Sequence, residues 1–486
     1  MKVLPRHQER IHVSWLVTWL MVGVLTGVAL AAWVSSPLST GQAVLMAAGI
    51  AVLVCIRPKY GAVCGAMAIG LLLGWSRGSI AQDELAKYEP FIGRDVRMSG
   101  IVSEDPAFAG SQQQIRLRNV QVGDTSLPGI VWVSLGAELQ LKRSDHVTVE
   151  AKLSEGFGNI PAAMWRARIV ESDRPLHGDV AREVRDAFSD DGARQAIDAP
   201  EVDLGMGFLT GQRSALPPEL DEQLRLLGLT HVVVASGYNL TILVRFSRGL
   251  FARRSKYLAF AISMLLIVAF VLVTGLSPSM TRAAFVAGLS LLAWYVGRSV
   301  HPLSLLLLAA GVTAYLQPSY VWGDLGWYLS FLSFAGVMLL APLIKSYFFG
   351  EKKEENGLVR ILIETTSAQL ATLPLIAYVF GQYSPLALPA NLLVLPFVPL
   401  AMLLTFVGGL LSLLILPWAF VFGLPATAVL SYMTWVMDFL AGLPGASMEL
   451  TVSLGICAAA YAALLAAGLY MWRRTGHSFT KGNIVV

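Results

Sequence analysis

Apolar runs of roughly 15 to 25 residues recur along this chain, and about 20 such residues in a helix cross the hydrocarbon layer of a bilayer. The runs are Trp15–Val34, Ala43–Ile56, Gly61–Trp75, Leu229–Val244, Tyr257–Gly275, Met280–Val296, Leu303–Gln317, Trp327–Ile344, Leu358–Phe380, Leu400–Leu416, Trp418–Ala441 and Leu450–Trp472. Only 14% of the 486 residues are charged and 55% are hydrophobic, against roughly 25% charged in soluble domains. So few charges cannot screen that much apolar surface from water. The expected fold class is a polytopic α-helical membrane protein of about twelve spans, and a soluble enzyme is excluded.

The charges between the runs set an orientation, because Lys and Arg collect on cytoplasmic loops. Lys2, Arg6 and Arg10 precede the first run, and Arg57 and Lys59 split the second from the third. Arg245, Arg248, Arg253, Arg254 and Lys256 follow Leu229–Val244. Arg298, then Lys345, Lys352, Lys353 and Arg360, then Arg473, Arg474 and Lys481 complete the series. Threading the spans puts every cluster inside, both termini in the cytoplasm, and Asp324 and Glu449 outside. Trp15–Val34 resembles a signal peptide, with Ala29-Leu30-Ala31 as a cleavage site, but the two apolar runs that follow favour a retained span. Cys55, Cys64 and Cys457 lie in apolar stretches without metal-ligand spacing and read as small core residues.

Residues 81–202 break the pattern, with 14 Lys and Arg against 20 Asp and Glu and no cysteine. Strand-like alternation appears at Val96–Val102, Gln114–Val120, Gly129–Leu135, His146–Leu153 and Trp165–Val170, which predicts an inserted external small β-barrel. Arg116 and Arg118 alternate on one strand face, as do Arg166 and Arg168, a weak nucleic-acid signal because aromatics are few in this segment and its charge is negative. Leu216, Leu220, Leu224 and Leu227 recur at helical spacing opposite Glu219, Asp221, Glu222 and Arg225, the pattern of an amphipathic helix on the outer membrane surface. The expected organisation is membrane helices over 1–80, the β domain over 81–175, a linker with the interfacial helix over 176–228, a transmembrane domain over 229–472 and a cytoplasmic tail over 473–486.

Polar residues within spans are costly and mark sites or helix contacts. His231, Ser236 and Asn239 fall in Gly228–Asn239, where His231 and Ser236 lie about 140° apart on a helix and cannot act as base and nucleophile. Four prolines, Pro385, Pro389, Pro396 and Pro399, break the backbone around Asn391, as in discontinuous transport helices or a re-entrant hairpin. Arg282 sits far from any inside cluster, suited either to an anionic substrate arriving from outside or to snorkelling. Glu364, Gln369 and Gln382 fit interhelical hydrogen bonding. Tyr238, Trp322, Trp327 and Tyr328 offer either stacking surfaces or an interfacial aromatic belt. The sequence carries no phosphate-binding loop, no metal motif and no implied cofactor.

The ordered series Gly211-Gln212-Arg213-Ser214-Ala215-Leu216-Pro217, Gly228–Asn239, Pro278-Ser279…Arg282-Ala283, Leu329-Ser330-Phe331, Ala368–Pro374, Gly381–Pro385 and Asn391-Leu392-Leu393…Pro396…Pro399 resembles the ComEC-type competence family. Tyr238-Asn239 stands where that family usually has Leu-His. The resemblance implies an OB-like external domain and a bacterial inner-membrane channel passing single-stranded DNA into the cytoplasm during natural transformation, with no catalysis by this chain. It implies an external DNA receptor and a cytoplasmic ATPase as partners, besides membrane lipid. The family's metallo-β-lactamase-like domain has no counterpart here, so the expectation is a form lacking it, with a separate nuclease where strand degradation is needed. On that reading His231, Ser236, Tyr238, Asn239, Arg282, Gln369, Gln382 and Asn391 line the path and the Arg245–Lys256 cluster marks the inner mouth. A gradient-driven transporter of a small anionic solute or lipid, and a non-catalytic scaffold, are the alternatives.

Overall fold

A computed structural model describes residues 13–33, 58–109, 112–136, 141–175, 178–212, 216–233, 237–298, 301–350, 357–415 and 418–477. The chain opens with α1 (Val13–Ala31) and α2 (Pro58–Leu85). Five main strands and two short ones follow: β1 (Asp95–Val102), β2 (Ala107–Ala109), β3 (Gln112–Val122), β4 (Thr125–Leu127), β5 (Val131–Gly136), β6 (His146–Phe157) and β7 (Ile160–Asp173). A short helix, α3 (Val180–Ala187), leads to α4 (Glu201–Thr210), α5 (Pro218–Leu226) and α6 (Thr230–Val233). The main bundle comprises α7 (Gly237–Phe251), α8 (Lys256–Thr274), α9 (Pro278–Val296), α10 (Pro302–Leu316), α11 (Ser319–Gly323), α12 (Leu325–Ala335) and α13 (Ala341–Phe349). It is completed by α14 (Gly357–Phe380), α15 (Ala387–Val394), α16 (Val398–Leu414), α17 (Ala419–Ala441) and α18 (Leu454–Thr475).

Among the described residues eight helices are long and apolar enough to cross a membrane, so the chain is a multi-span membrane protein. The count differs from the expected twelve for local reasons. Ala43–Ile56 lies outside the described residues. Leu229–Val244 is divided between the single turn of α6 and the 15-residue α7. Pro302–Leu316 has only 15 residues, and α14, though 24 residues long, carries Arg360, Glu364 and Gln369. The third run extends beyond its apolar part, since α2 continues through Arg77, Gln82 and Asp83 before ending in a 3₁₀ turn at Ala86–Phe91.

The helices α1 and α2 meet backbone to backbone. A Cβ placed on Gly74 would lie 2.2 Å from the Val24 carbonyl oxygen, and one on Gly23 would lie 2.0 Å from that of Met67. Small residues four apart permit such approach, and dispersion then replaces the hydrophobic force that is missing between helices in lipid. Cys64, on the same helix, is exposed, which corrects its reading as a core residue. Cys457 is buried, and Cys55 lies outside the described residues.

The β domain is a closed barrel with OB-like strand order. β1 pairs with β3 and β6, β6 with β7, β3 with β5, and a parallel β5–β7 pairing closes the ring. All five predicted strands are present; four are longer than predicted, and β5 is shifted to Val131–Gly136. Ile115, Leu117, Val131, Val133, Val149 and Met164 fill its interior, as period-2 alternation requires.

Leu216, Leu220, Leu224 and Leu227 do not lie on the outer membrane surface. They pack into a protein core with Phe208, Leu204, Val233, Val394 and Met433, so the apolar face of α5 is covered by the bundle itself. The proline-rich stretch forms no re-entrant hairpin. α15 runs into a single 3₁₀ turn at Leu395–Phe397 and then into α16, a helix interrupted where Pro396 and Pro399 remove amide donors.

Candidate functional site

The barrel stands on the bundle through two contacts. At the first, the β6–β7 hairpin tip meets the turn before α12. The Asn159 Nδ2 donates to Asp324 Oδ2 at 2.7 Å, and Asp324 Oδ1 accepts the Trp327 backbone N–H at 2.7 Å as the N-cap of α12. Gly158 and Gly323 touch so closely that a Cβ on either would come within 2.9 Å of the other's backbone.

The second contact is a buried ion network that the apolar patterning does not reveal. Arg143 donates to both carboxylate oxygens of Asp179, at 2.7 and 3.1 Å, and to the carbonyls of Leu272 and Val273 at 3.2 Å each. Those carbonyls belong to the last turn of α8, where four acceptors lack helical partners and a cation is favoured. Asp145 holds Arg174 and Arg182, Asp105 holds Arg185, and Asp186 holds Lys142 and Arg185. Burial pushes the Asp179 carboxyl up, but hydrogen bonds from Arg143, the Arg182 backbone and Ser144 outweigh it and hold the group below the usual carboxylate range. Asp186 is likewise held down, against its burial, by Lys142 and Arg185.

Arg282 lies beside the first contact. It sits in the opening turns of α9, whose first turn is set by Pro278 and the Ser277 cap, and it is 4% exposed. Its Nη2 donates to the Gly326 carbonyl at 3.1 Å, while Nε and Nη1 are buried without a hydrogen-bond partner. The Tyr320 ring centre lies 6.0 Å from the guanidinium carbon. Burial raises the Tyr320 hydroxyl and the Arg282 charge opposes it, with Asp324, Glu104 and Arg116 also within electrostatic reach. The Asp324 carboxylate is near enough to act on the Arg282 charge without bonding to it, so the buried guanidinium is only partly compensated, and its two vacant donor atoms are chemically suited to an oxyanion.

The other predicted path residues divide. Asn239, fully buried, donates to the Phe208 carbonyl at 2.9 Å and so ties α7 to α4. Asn391 is 1% exposed, donates to Ala387 in its own helix at 2.8 Å, and keeps Oδ1 without a partner. The Tyr238 hydroxyl donates to Leu395 in the 3₁₀ turn at 3.3 Å, satisfying a carbonyl at the interruption. His231 Nδ1 lies 2.9 Å from the Gly228 carbonyl, which requires the proton on Nδ1, and the ring is accessible although protein surrounds it. Ser236 lies outside the described residues. Gln369 is half-buried on α14, whereas Gln382 is exposed in a two-residue strand paired with Met448–Glu449.

The basic cluster is not a uniform mouth. Arg248 lies over the Trp294 ring at 4.4 Å, and Lys256 Nζ reaches Trp294 and Tyr295 at 5.5 and 5.9 Å, whereas Arg245, Arg253 and Arg254 are exposed. Three aromatics offered as stacking surfaces are tied internally. Trp322 donates to Val28 at 2.9 Å, Trp327 to Thr313 at 3.0 Å, and Tyr328 to the Val321 carbonyl. On the barrel, Arg116 pairs with Glu104 at 3.2 Å, Arg118 is exposed, and Arg168 faces Glu150 across the sheet. Arg166 does not belong to a simple alternation with Arg168. A bulge places two residues, Trp165 and Arg166, between the inward Met164 and Ala167.

The model of the competence protein family matches residues 208–475. The chain belongs to that family. Arg282, Asn239, Asn391 and the interrupted α15–α16 helix all fall inside the matched region, so the ComEC-type resemblance read from the ordered motifs is borne out. The chain is also 29% identical over 210 residues to ComE operon protein 3 of Bacillus subtilis (strain 168), a stretch covering 42% of this chain and 25% of that protein. The chain thus spans about a quarter of that relative's length. No solved structure matches the chain.

Proposed function

We propose that this competence protein is a bacterial inner-membrane component of DNA uptake that passes a single strand into the cytoplasm during natural transformation, acting as a conduit and not as a catalyst. Both termini lie in the cytoplasm and the barrel outside, which puts the Arg282 end of α9 at the entrance. An external receptor delivers the strand, a cytoplasmic ATPase draws it in, and a separate nuclease acts where one strand is degraded.

Arg282 carries the reading. A polyanion entering a low-dielectric bundle needs fixed positive charge and hydrogen-bond donors at the point where it sheds water. Arg282 supplies both at the outer end of a span, and two of its donor positions are already desolvated. The test is uptake of fluorescent DNA in a deletion strain of the native host, scored by compartment, complemented with wild type or Arg282→Glu. The variant is expected to insert normally and to leave DNA stalled outside the inner membrane. Cytoplasmic DNA at wild-type levels would remove Arg282 from the entrance.

A further inference from the structure

Three aromatic side chains from three strands gather on the outside of the barrel. Trp132 on β5 and Trp165 on β7 have ring centres 4.5 Å apart with planes inclined by 57°, and Phe157 on β6 lies 5.8 Å from Trp132. Val131, Val133 and Leu135 face the core, so Trp132 points outward, but Trp165 and Phe157 cover it and leave it buried at 9% exposed. Trp165 is 54% exposed and Phe157 49%. Leaving two large rings half in water forfeits burial that a barrel of this size would otherwise use. The backbone is also unusual at this point. The β7 bulge that turns Trp165 outward holds Arg166 at φ +51, a left-handed conformation unfavourable for a residue with a side chain. Bulges of this kind re-aim side chains and gather near functional sites.

Charge completes the surface. Arg116 on β3 is the direct cross-strand partner of Trp132, which puts its guanidinium on the same face; its exposed pairing with Glu104 at 3.2 Å is of the weak kind that a phosphate can displace. Arg118 follows two residues along, exposed. The face also leads somewhere. Arg116 is within electrostatic reach of Tyr320, which packs against Arg282, and Phe157 adjoins Gly158, where the hairpin meets the bundle.

We propose that Trp165 and Phe157, backed by the buried Trp132 and flanked by Arg116, form a stacking platform for the unpaired bases of a single strand, which feeds that strand to Arg282. The inference rests on the DNA-uptake reading and deepens it. Aromatic faces accept any base, and a neighbouring guanidinium holds the phosphate between bases. A lipid surface is the competing occupant, and a pair of strand probes separates the two.

The test uses the full chain in lipid nanodiscs, with fluorescein-labelled dT12 and a 12-unit abasic strand as probes, read by anisotropy. Trp165→Ala should raise the Kd for dT12 about tenfold, Trp165→Phe should recover most of the loss, and abasic-strand binding should change little. Equal dT12 affinity in Trp165→Ala and wild type overturns the platform and points to a lipid or protein contact. An equal loss for the abasic strand, or none recovered by Trp165→Phe, overturns stacking as well. Failure of the platform leaves the Arg282 uptake assay unaffected. Conversely, normal uptake in Arg282→Glu with base-dependent dT12 binding intact counts against the conduit alone.

Discussion

Replacing Arg143 with Ala should loosen the barrel from the bundle. The guanidinium makes two hydrogen bonds to Asp179 and one each to the Leu272 and Val273 carbonyls. Its side chain is 5% exposed and that of Asp179 15%. Removing one partner of a buried pair costs about 3–5 kcal/mol, because the other charge stays behind. Asp179 would still hold Ser144 and the Arg182 backbone, so the expected cost is at the lower end, about 3 kcal/mol, or roughly 150-fold in the opening equilibrium of the joint. Hydrogen–deuterium exchange of the full chain reads this directly. Peptides covering 141–145, 179–186 and the end of α8 should exchange much faster, while those from β3 and α1 keep their protection. Arg143→Lys should recover part of the effect, since it keeps the charge and loses the fork. Unchanged exchange across the joint in Arg143→Ala would show that the network adds nothing. The same experiment has a pH arm. The folded carboxyls of Asp179 and Asp186 lie below their unfolded value, so their contribution is fully present above about pH 4 and is lost as pH falls through the folded value. A joint that opens between pH 7 and pH 5 would contradict this assignment.

Two further outcomes follow from packing. Gly74→Leu drives a side chain into the Val24 carbonyl, so α1 and α2 must part; the expected result is a loss of monodisperse protein on size exclusion or a melting point lowered by the equivalent of at least about 3 kcal/mol, and a wild-type melt would refute backbone contact. Asn391→Leu removes a buried acceptor that has no partner and should leave the melting temperature unchanged or raised; a drop in DNA uptake alongside a preserved melt places Asn391 on the strand's path, whereas a fall in both makes it a packing residue.

The chain's membrane character and its five barrel strands were legible because they rest on long apolar runs and period-2 alternation, signals that each segment carries by itself. What was hidden depends on partners distant in sequence. Leu220 and Leu224 read as a membrane-surface stripe, since an apolar helix face looks the same whether lipid or Phe208 covers it. Asn239 and Asn391 stood out as polar residues in spans, yet only the fold shows that one pins α7 to α4 while the other keeps a free oxygen. Arg282 was visible by its isolation from the basic clusters, but not its single carbonyl partner. The Trp132–Trp165 pair went unseen because a bulge shifts the phase of β7, and alternation counted back through it from Arg168 turns Trp165 inward. Arg143, Asp145 and Arg182 drew no attention within an acidic segment, because burial cannot be read from charge alone.

The protein's two sets of charges stand in very different dielectric surroundings. Arg143, Asp145, Arg182 and Arg185 are each under 5% exposed, out of reach of mobile ions. Arg116, Arg118 and Arg166 are open to solvent, where the Debye length falls from about 10 Å at 0.1 M salt to about 3 Å at 1 M. Polyanion binding through such groups weakens steeply as salt rises, because each contact gives up released counterions. Rising ionic strength should therefore release a bound strand long before it disturbs the joint between barrel and bundle. Brine would empty this molecule without unmaking it.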